Sequence, residues 1–381
     1  MAQHYLLSAK ARDFSLRDID KMSEDDAWWR FVESRWGGRD QQGCPGCGVF
    51  DRHYAIRTRK QWRCKHCTRT FSVTSGTVFA DRKLSFKDIL RADFLFAASA
   101  KGISHVALAT QMGVAYKTAM VLAHKLREAL YHSRDTSPLS GEIHIDGGHF
   151  GGKPRRPRVR NRKPSTEELQ AHIMGRRRKG KNAQPDLPEM SMESERHPKN
   201  GQHRKRVGLS KLNQRKKENR RIVFVLREIH PEPGHGAQRT RVSVGLSENE
   251  KNAMALAQRY IAPGSTVHSD ENPAYFRFDG LYTHRTVEHS KEYATEDGIH
   301  QNQAESYFSR LRRYEYGVGH QIRKRYLALY ANEMAWREDY RRHSVGVRFN
   351  KLLQQTLQVG YSKWWRGYWQ GYKLPEELLM D

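Results

Sequence analysis

Residues 298–316 read GIHQNQAESYFSRLRRYEY. Tyr307, Leu311 and Tyr314 recur at helical spacing, so the stretch predicts a helix with one apolar face, entered from a short turn at Asp297–Gly298. Glu305 falls in the second turn of that helix, one turn after Asn302, and Arg310, Arg312 and Arg313 follow closely. Taken alone, a carboxylate beside so many guanidinium groups is a salt-bridged surface residue. The fold turns on whether this helix is a plain surface helix or the cover of a sheet edge lined with other acids, and that is decided by the rest of the chain.

The chain has 381 residues, enough for two or three domains, and a formal net charge of +26. Such an excess is far beyond what solubility needs and points to a polyanionic partner, DNA above all, held through counterion release. A simple ribosomal or packaging protein fits the charge, but such proteins rarely combine 17 Tyr, 14 Phe and 8 Trp with a long patterned C-terminal half. The N-terminal residues contain no apolar run of signal-peptide length, and no stretch approaches the ~20 apolar residues of a membrane-spanning helix. The expectation is a cytoplasmic, nucleoid-associated protein with no membrane partner.

All four cysteines lie in CPGCGVFDRHYAIRTRKQWRCKHC, residues 44–67, as Cys44-x2-Cys47 and Cys64-x2-Cys67 separated by sixteen residues. Each pair can aim two thiolates at one ion, and four close a tetrahedral Zn²⁺ site with no open position, which is structural rather than catalytic. Tyr54–Arg57 and Gln61–Arg63 suit a short hairpin between the pairs. The basic residues around them suggest phosphate contact. Ahead of this ribbon (43–75), residues 1–42 predict a helix, with an N-cap pattern at Ser23 and Asp26 and with Trp28, Phe31, Val32 and Trp36 inward. After it, residues 76–135 predict a helix-turn-helix: a first helix over Ile103–Gln111 burying Val106, Leu108 and Ala109, a turn at Met112–Gly113–Val114, and a second helix over Tyr116–Tyr131. Lys117 and Thr118 would then open the DNA-reading helix.

Residues 136–345 predict an α/β domain. GEIHIDGG (141–148) alternates as a buried strand with Asp146 at its tip. Residues 152–220 are dense in Arg and Lys with Pro, Gly, Asn and Ser between, and read as a largely irregular basic insertion suited to phosphate contact. Two strands follow (from Arg221 and from Arg239), then a helix capped by Ser247 with Glu250. A strand ending in Asp270 comes next, then another at 283–293, then the helix quoted at the outset. Residues 319–343 predict a long amphipathic helix, and 346–381 an aromatic and basic tail that either packs on the body or stacks bases. In this order the first and fourth strands can be neighbours, so Asp146, Asp270 and Glu305 would converge at one sheet edge. A few carboxylates suffice for Mg²⁺, and two Mg²⁺ about 3.5–4 Å apart suit phosphodiester cleavage and transfer.

Taken jointly, Cys44–Phe79, IHIDGGHFGGKPR, VHSDENPAY, HQNQAESYFSRLRRYEYGVGH and YANEMAWRED resemble the DDE transposases of bacterial insertion sequences, the group with an N-terminal zinc ribbon. The resemblance implies a multidomain chain whose catalytic domain is RNase H-like. It implies Mg²⁺ or Mn²⁺ held by Asp146, Asp270 and Glu305 as catalytic acids, and binding of the element's terminal inverted repeats and of target DNA by a homo-oligomer. Relatives commonly carry Lys seven residues after the third acid, where this chain has Arg312, which keeps the charge and changes the donor geometry. Arg310 and Arg313 are further candidates for DNA phosphate, and Asn302 for a supporting role. Two other readings use fewer of these residues: a zinc-ribbon and helix-turn-helix regulator without catalysis, and an RNase H-like nuclease that cuts without joining.

Overall fold

The computed structural model describes residues 5, 8–151, 218–232, 234–287, 302–371 and 373–380. The expected basic insertion (152–220) and the expected turn at Asp297–Gly298 fall almost wholly or wholly outside the described residues. Residues 1–151 and 220–381 form one compact unit.

The N-terminal part begins with α1 (Leu16–Lys21) and α2 (Glu24–Trp36). Ser23 caps α2 as its sequence predicts: Ser23 Oγ accepts from the Asp26 amide at 3.1 Å and Asp26 Oδ2 accepts from the Ser23 amide at 3.0 Å. The ribbon contributes β1 (Gln42–Gly43) paired with β2 (Phe50–Asp51). It also holds a three-stranded sheet of β3 (Tyr54–Ile56), β4 (Gln61–Arg63) and β5 (Thr70–Ser72). Trp62 of β4 stacks on Trp28 of α2 with centroids 5.3 Å apart and meets Trp36 edge-on at 5.2 Å. The tryptophans of α2 therefore serve packing: they seat the ribbon on the helices.

Three more helices complete this region: α3 (Phe86–Ala98), α4 (His105–Met112) and α5 (Tyr116–His132). Gly113 ends α4 at φ +63°, a left-handed position that suits glycine, and the axes of α4 and α5 differ by 115°. Leu108 and Ala109 of α4 are buried, but Val106 is 64% exposed, against expectation. It sits two residues before Leu108, on the far side of a short helix that turns only one face inward.

The second part is a five-stranded sheet. In chain order its strands are β6 (Glu142–Gly151), β7 (Arg220–Ile229), β8 (Ala237–Gly245), β9 (Thr266–Asp270) and β10 (Thr283–Val287), and in space they run β10-β9-β6-β7-β8. β6 pairs antiparallel with β7 and β7 with β8, whereas β10, β9 and β6 are parallel. First and fourth strands are thus neighbours, as the sequence predicts. Asp146 is not at a strand tip. On one side β6 runs on to Gly151 against β7, and on the other its pairing with β9 stops at His144.

Side chains alternate across the sheet with period two. Ile143, Ile145, Ile222, Phe224 and Leu226 face α6 (Glu250–Tyr260). Phe150, Val223 and Val225 face α7 (Asn302–Tyr314) and α8 (Leu327–Asp339). α6 is capped by Asn249, whose Oδ1 accepts from the Asn252 amide at 2.9 Å, and not by the expected Ser247–Glu250 box. Helix α8 departs most from expectation. His320, at φ +55°, interrupts the predicted 319–343 helix, and α8 starts only at Leu327. Nor is it amphipathic: Glu333, Arg337 and Glu338 are as buried as Leu329 and Met334.

Those charges are satisfied internally. Arg127 of α5 donates from Nε to Glu333 Oε2 at 2.6 Å and from Nη2 to the Tyr314 hydroxyl at 3.2 Å. Arg337 donates to Glu333 Oε1 and to the carbonyls of Phe96 and Ser99. Helix α9 (Val345–Gln358) packs into the N-terminal core through Phe349, Leu352, Leu353 and Leu357. Beyond it, the Glu128 carboxylate accepts from the amides of Lys363 and Trp364, and Trp365 stacks on His124 at 4.1 Å. Part of the aromatic tail is therefore packing, while Trp369 is 82% exposed.

Candidate active site

Strands β6, β8 and β9 run in one direction, so the segments at and after their C-terminal ends gather at one edge of the sheet. Asp146 and Asp270 lie on the neighbouring β6 and β9, each two residues beyond the in-register pair His144 and His268. The loop between β8 and α6 brings Glu248 to the same edge. One carboxylate oxygen from each of Asp146, Glu248 and Asp270 lies within 4.8 Å of the others. Asp146 Oδ1 accepts from the Gly147 amide at 2.6 Å, Asp270 Oδ1 from the Asn272 amide at 3.2 Å, and Glu248 Oε1 from the Tyr275 hydroxyl at 2.7 Å.

The electrostatics are those of crowded, partly buried acids. Burial, then the negative charge of Asp270, push the Asp146 carboxyl up to about 7, with Glu248 and Glu305 adding to the rise. Burial raises the Glu248 pKa too, and Asp270 adds to it against the Tyr275 hydrogen bond. Crowded carboxylates disfavour one another's ionisation until positive charge arrives.

Glu305 lies in the first turn of α7, is exposed, and is close enough for its charge to be felt at Asp146. It is not one of the three acids whose oxygens gather within 4.8 Å. Buried charges set the position of α7. Arg227 donates to the Gln303 carbonyl at 2.7 Å and to Glu338 at 3.2 Å, and Arg310 pairs with the same Glu338 at 2.8 Å. Two glycines in β6 let the surroundings close in. A Cβ on Gly147 would stand 2.5 Å from Glu248 Oε1, and one on Gly148 would stand 2.5 Å from the Phe308 ring of α7. Arg312 is exposed, with its guanidinium carbon 5.9 Å from the Phe150 ring centroid and 5.8 Å from that of Phe308, and Arg313 is exposed beside it. Asn302 opens α7, and its side chain lies outside what the structure describes.

Glu248 is the acid that sequence reading passed over. It stands in the loop just before a helix start, and assigning the cap to Ser247 hid it. The signal that finds it is the strand direction: β8 is parallel to β6, so a carboxylate just after β8 must arrive at the edge where Asp146 and Asp270 sit.

In the ribbon the four cysteines come together. Cys44 and Cys67 Sγ are 3.6 Å apart and Cys47 and Cys64 Sγ 3.7 Å, close to the roughly 3.8 Å edge of a tetrahedron with Zn–S near 2.3 Å. Burial works against the Cys64 thiolate, but the amides of Cys67 and His66 outweigh it and bring its pKa down to about 6. The cluster fits a structural zinc ion. Lys117 and Thr118 are exposed in the first turn of α5.

Comparison with known proteins follows this division. A family model described as a transposase zinc-ribbon domain matches residues 22–70, which take in α2 and all four cysteines. A second, described as an ISXO2-like transposase domain, matches residues 193–339, a span that includes Glu248, Asp270 and Glu305 and begins after Asp146. No curated protein and no solved structure matches the chain. Two stretches of the chain are thus similar to known domains, residues 193–339 to an ISXO2-like transposase domain and residues 22–70 to a transposase zinc ribbon.

Proposed function

We propose that the protein is a DDE transposase that binds the ends of an insertion sequence, cuts DNA there and joins the released 3′ ends to target DNA. The observation that carries the reading is the meeting of Asp146 and Asp270 on neighbouring parallel strands, with Glu305 in the first turn of the helix above them. The order β10-β9-β6-β7-β8, with two antiparallel and two parallel pairings, supports an RNase H-like sheet. The donor set fits Mg²⁺ or Mn²⁺: carboxylate oxygens alone, closely gathered and mutually repulsive without a cation. Such ions supply Lewis-acid polarisation of phosphoryl oxygens and lower the pKa of a bound water.

In this reading Asp146, Asp270 and Glu305 hold the metal, and Glu248 completes the acid set from the β8 side. Arg312 and Arg313, with the exposed part of Arg310, hold DNA phosphate along α7, and Asn302 steadies the same helix end. The α4–turn–α5 pair acts as a helix-turn-helix, with Lys117 and Thr118 at the groove, and the basic face of the ribbon grips the terminal repeat. Homo-oligomers on DNA, and action at the nucleoid in the cytoplasm, belong to the same proposal.

The test is cleavage and strand transfer on terminal-repeat DNA with Mg²⁺. Asp270→Asn and Asp146→Asn should abolish both while leaving end binding within about twofold, since neither replaces a phosphate-holding cation. Wild-type cleavage by either variant would sink the assignment. Cleavage by the unaltered protein with no joining of a pre-cut 3′ end would mark a nuclease instead.

A further inference from the structure

Behind the acid edge lies a second convergence of ligand-type side chains. His144 of β6 and His268 of β9 are direct partners in the parallel pair, and Glu142 sits two residues before His144, on the same face. The imidazole rings are 5.0 Å apart and inclined at 31°. Both histidines are buried, while the Glu142 side chain is half exposed, leaving a way in from solvent. A single oxygen, Glu142 Oε1, faces both rings: it is 3.6 Å from His144 Nε2 and 3.3 Å from His268 Nε2.

These two distances are longer than the 2.7–3.2 Å of an N–H···O hydrogen bond. They also match the separations of ligands sharing one ion, since donors about 2.0–2.1 Å from a tetrahedral zinc stand roughly 3.4 Å from one another. One ligand atom from each of the three residues lies within 4.8 Å of the others. The register produces this. In a parallel pair, in-register residues project to the same face, so histidines at partnered positions are bound to meet, and the residue two before one of them joins them.

We propose that Glu142, His144 and His268 form a transition-metal site, with two imidazoles and one carboxylate, that takes Zn²⁺ or a similar ion. Imidazole nitrogen favours zinc and its neighbours in the first transition row, while all-oxygen sites suit Mg²⁺ and Mn²⁺. The site therefore differs in metal preference from the Asp146–Asp270 cluster, and in ligand type from the ribbon's thiolates. An ion here would tie β6 to β9 one same-face step before Asp146 and Asp270, fixing the spacing of the strands that carry them. The proposal does not depend on the transposase reading.

The full chain, loaded with Zn²⁺ in the presence of excess Mg²⁺ and freed of loose metal, gives the test through zinc counted per chain. The unaltered protein should hold one zinc more than its cysteines account for. Cobalt exchange separates the two, because only the ribbon gives a thiolate-to-cobalt charge-transfer band. Glu142→Ala and His268→Gln should each lose the extra zinc and keep the thiolate band. His235→Ala, which breaks the half-buried group of His230, Glu232 and His235, should keep the extra zinc. An unaltered protein with zinc at the cysteines alone overturns the proposal, as does extra zinc that survives Glu142→Ala or leaves with His235→Ala. Because Glu142 is half exposed, Glu142→Ala decides the matter even if His268→Gln fails to fold.

Discussion

Gly147 and Glu248 are in contact in a way that only glycine permits: a Cβ on residue 147 would stand 2.5 Å from Glu248 Oε1. The neighbouring Gly148 does the same for Phe308 on the opposite face. The two substitutions should therefore part company. Gly147→Ala meets the far end of a flexible side chain, so Glu248 swings away, at a stability cost within about 0.5 kcal/mol. Mg²⁺-supported cleavage should fall at least tenfold, about 1.4 kcal/mol of transition-state stabilisation. Gly148→Ala meets an aromatic ring in the core and should cost ~1–3 kcal/mol in denaturant unfolding. If Glu248 is the mediator, Gly147→Ala added to Glu248→Gln changes cleavage little further, and a full additional loss would show that Glu248 is not involved.

Removing the ribbon's metal should be felt well beyond the ribbon. Cys44, Cys64 and Trp62 belong to the same hydrophobic core as Phe31, Phe86 and Leu126. Cys64→Ser, or a strong chelator, should lower the unfolding temperature of the whole N-terminal part and abolish end binding together. Thermal scans with and without added Zn²⁺ measure this, and retention of end binding by the zinc-free protein would contradict it.

Glu333 stands between two buried guanidinium groups. Burial opposes its charge, but Arg127 and Arg337 outweigh that and hold its pKa below the ordinary carboxylate value. Glu333→Gln leaves two buried cations short of a counter-charge and should cost ~3–5 kcal/mol in denaturant unfolding. A loss under 1 kcal/mol would mean that water reaches the cluster.

Asp93 is a different kind of buried acid. It is fully buried within the N-terminal core, and no hydrogen-bond partner to either oxygen is found among the described residues. Burial raises its pKa well above the ordinary 3.8. In the unfolded chain the carboxyl loses its proton above about pH 4, whereas the native state keeps it. Its contribution to stability is therefore complete below that point and declines as pH rises toward the native pKa. Unfolding measured from pH 4 to pH 8 should show this decline, and Asp93→Asn should flatten it. Equal slopes in the two proteins would refute it.

Much of this was legible because some residue patterns encode geometry directly. Two Cys-x2-Cys knuckles specify a tetrahedral cluster whatever surrounds them, and strands that carry Asp146 and Asp270 imply an acidic edge once they are neighbours. Glu248 was not legible in that way. Its place depends on which strand ends share an edge, a property of the sheet and not of the local sequence. The burial of α8 was hidden for a related reason. Glu333, Arg337 and Glu338 look like a solvent face on a helical wheel, and their partners Arg127 and Arg227 lie 206 and 111 residues away along the chain. Val106 shows the reverse error, an apolar residue at helical spacing whose face is left exposed.

The buried charges of α8 also bear on how the molecule can be taken apart. Arg127 reaches from the helix that carries Lys117 to the hydroxyl of Tyr314, which ends the helix that carries Glu305. Arg337 reaches back to the carbonyls of Phe96 and Ser99. A fragment starting after residue 135 would strip both anchors away and leave Glu333 and Arg337 facing an emptied seam. The N-terminal half and the half that carries the acids are thus not interchangeable cassettes. A swap of the N-terminal half from a distant relative must bring its own answer to Glu333, or the graft will come apart at that seam.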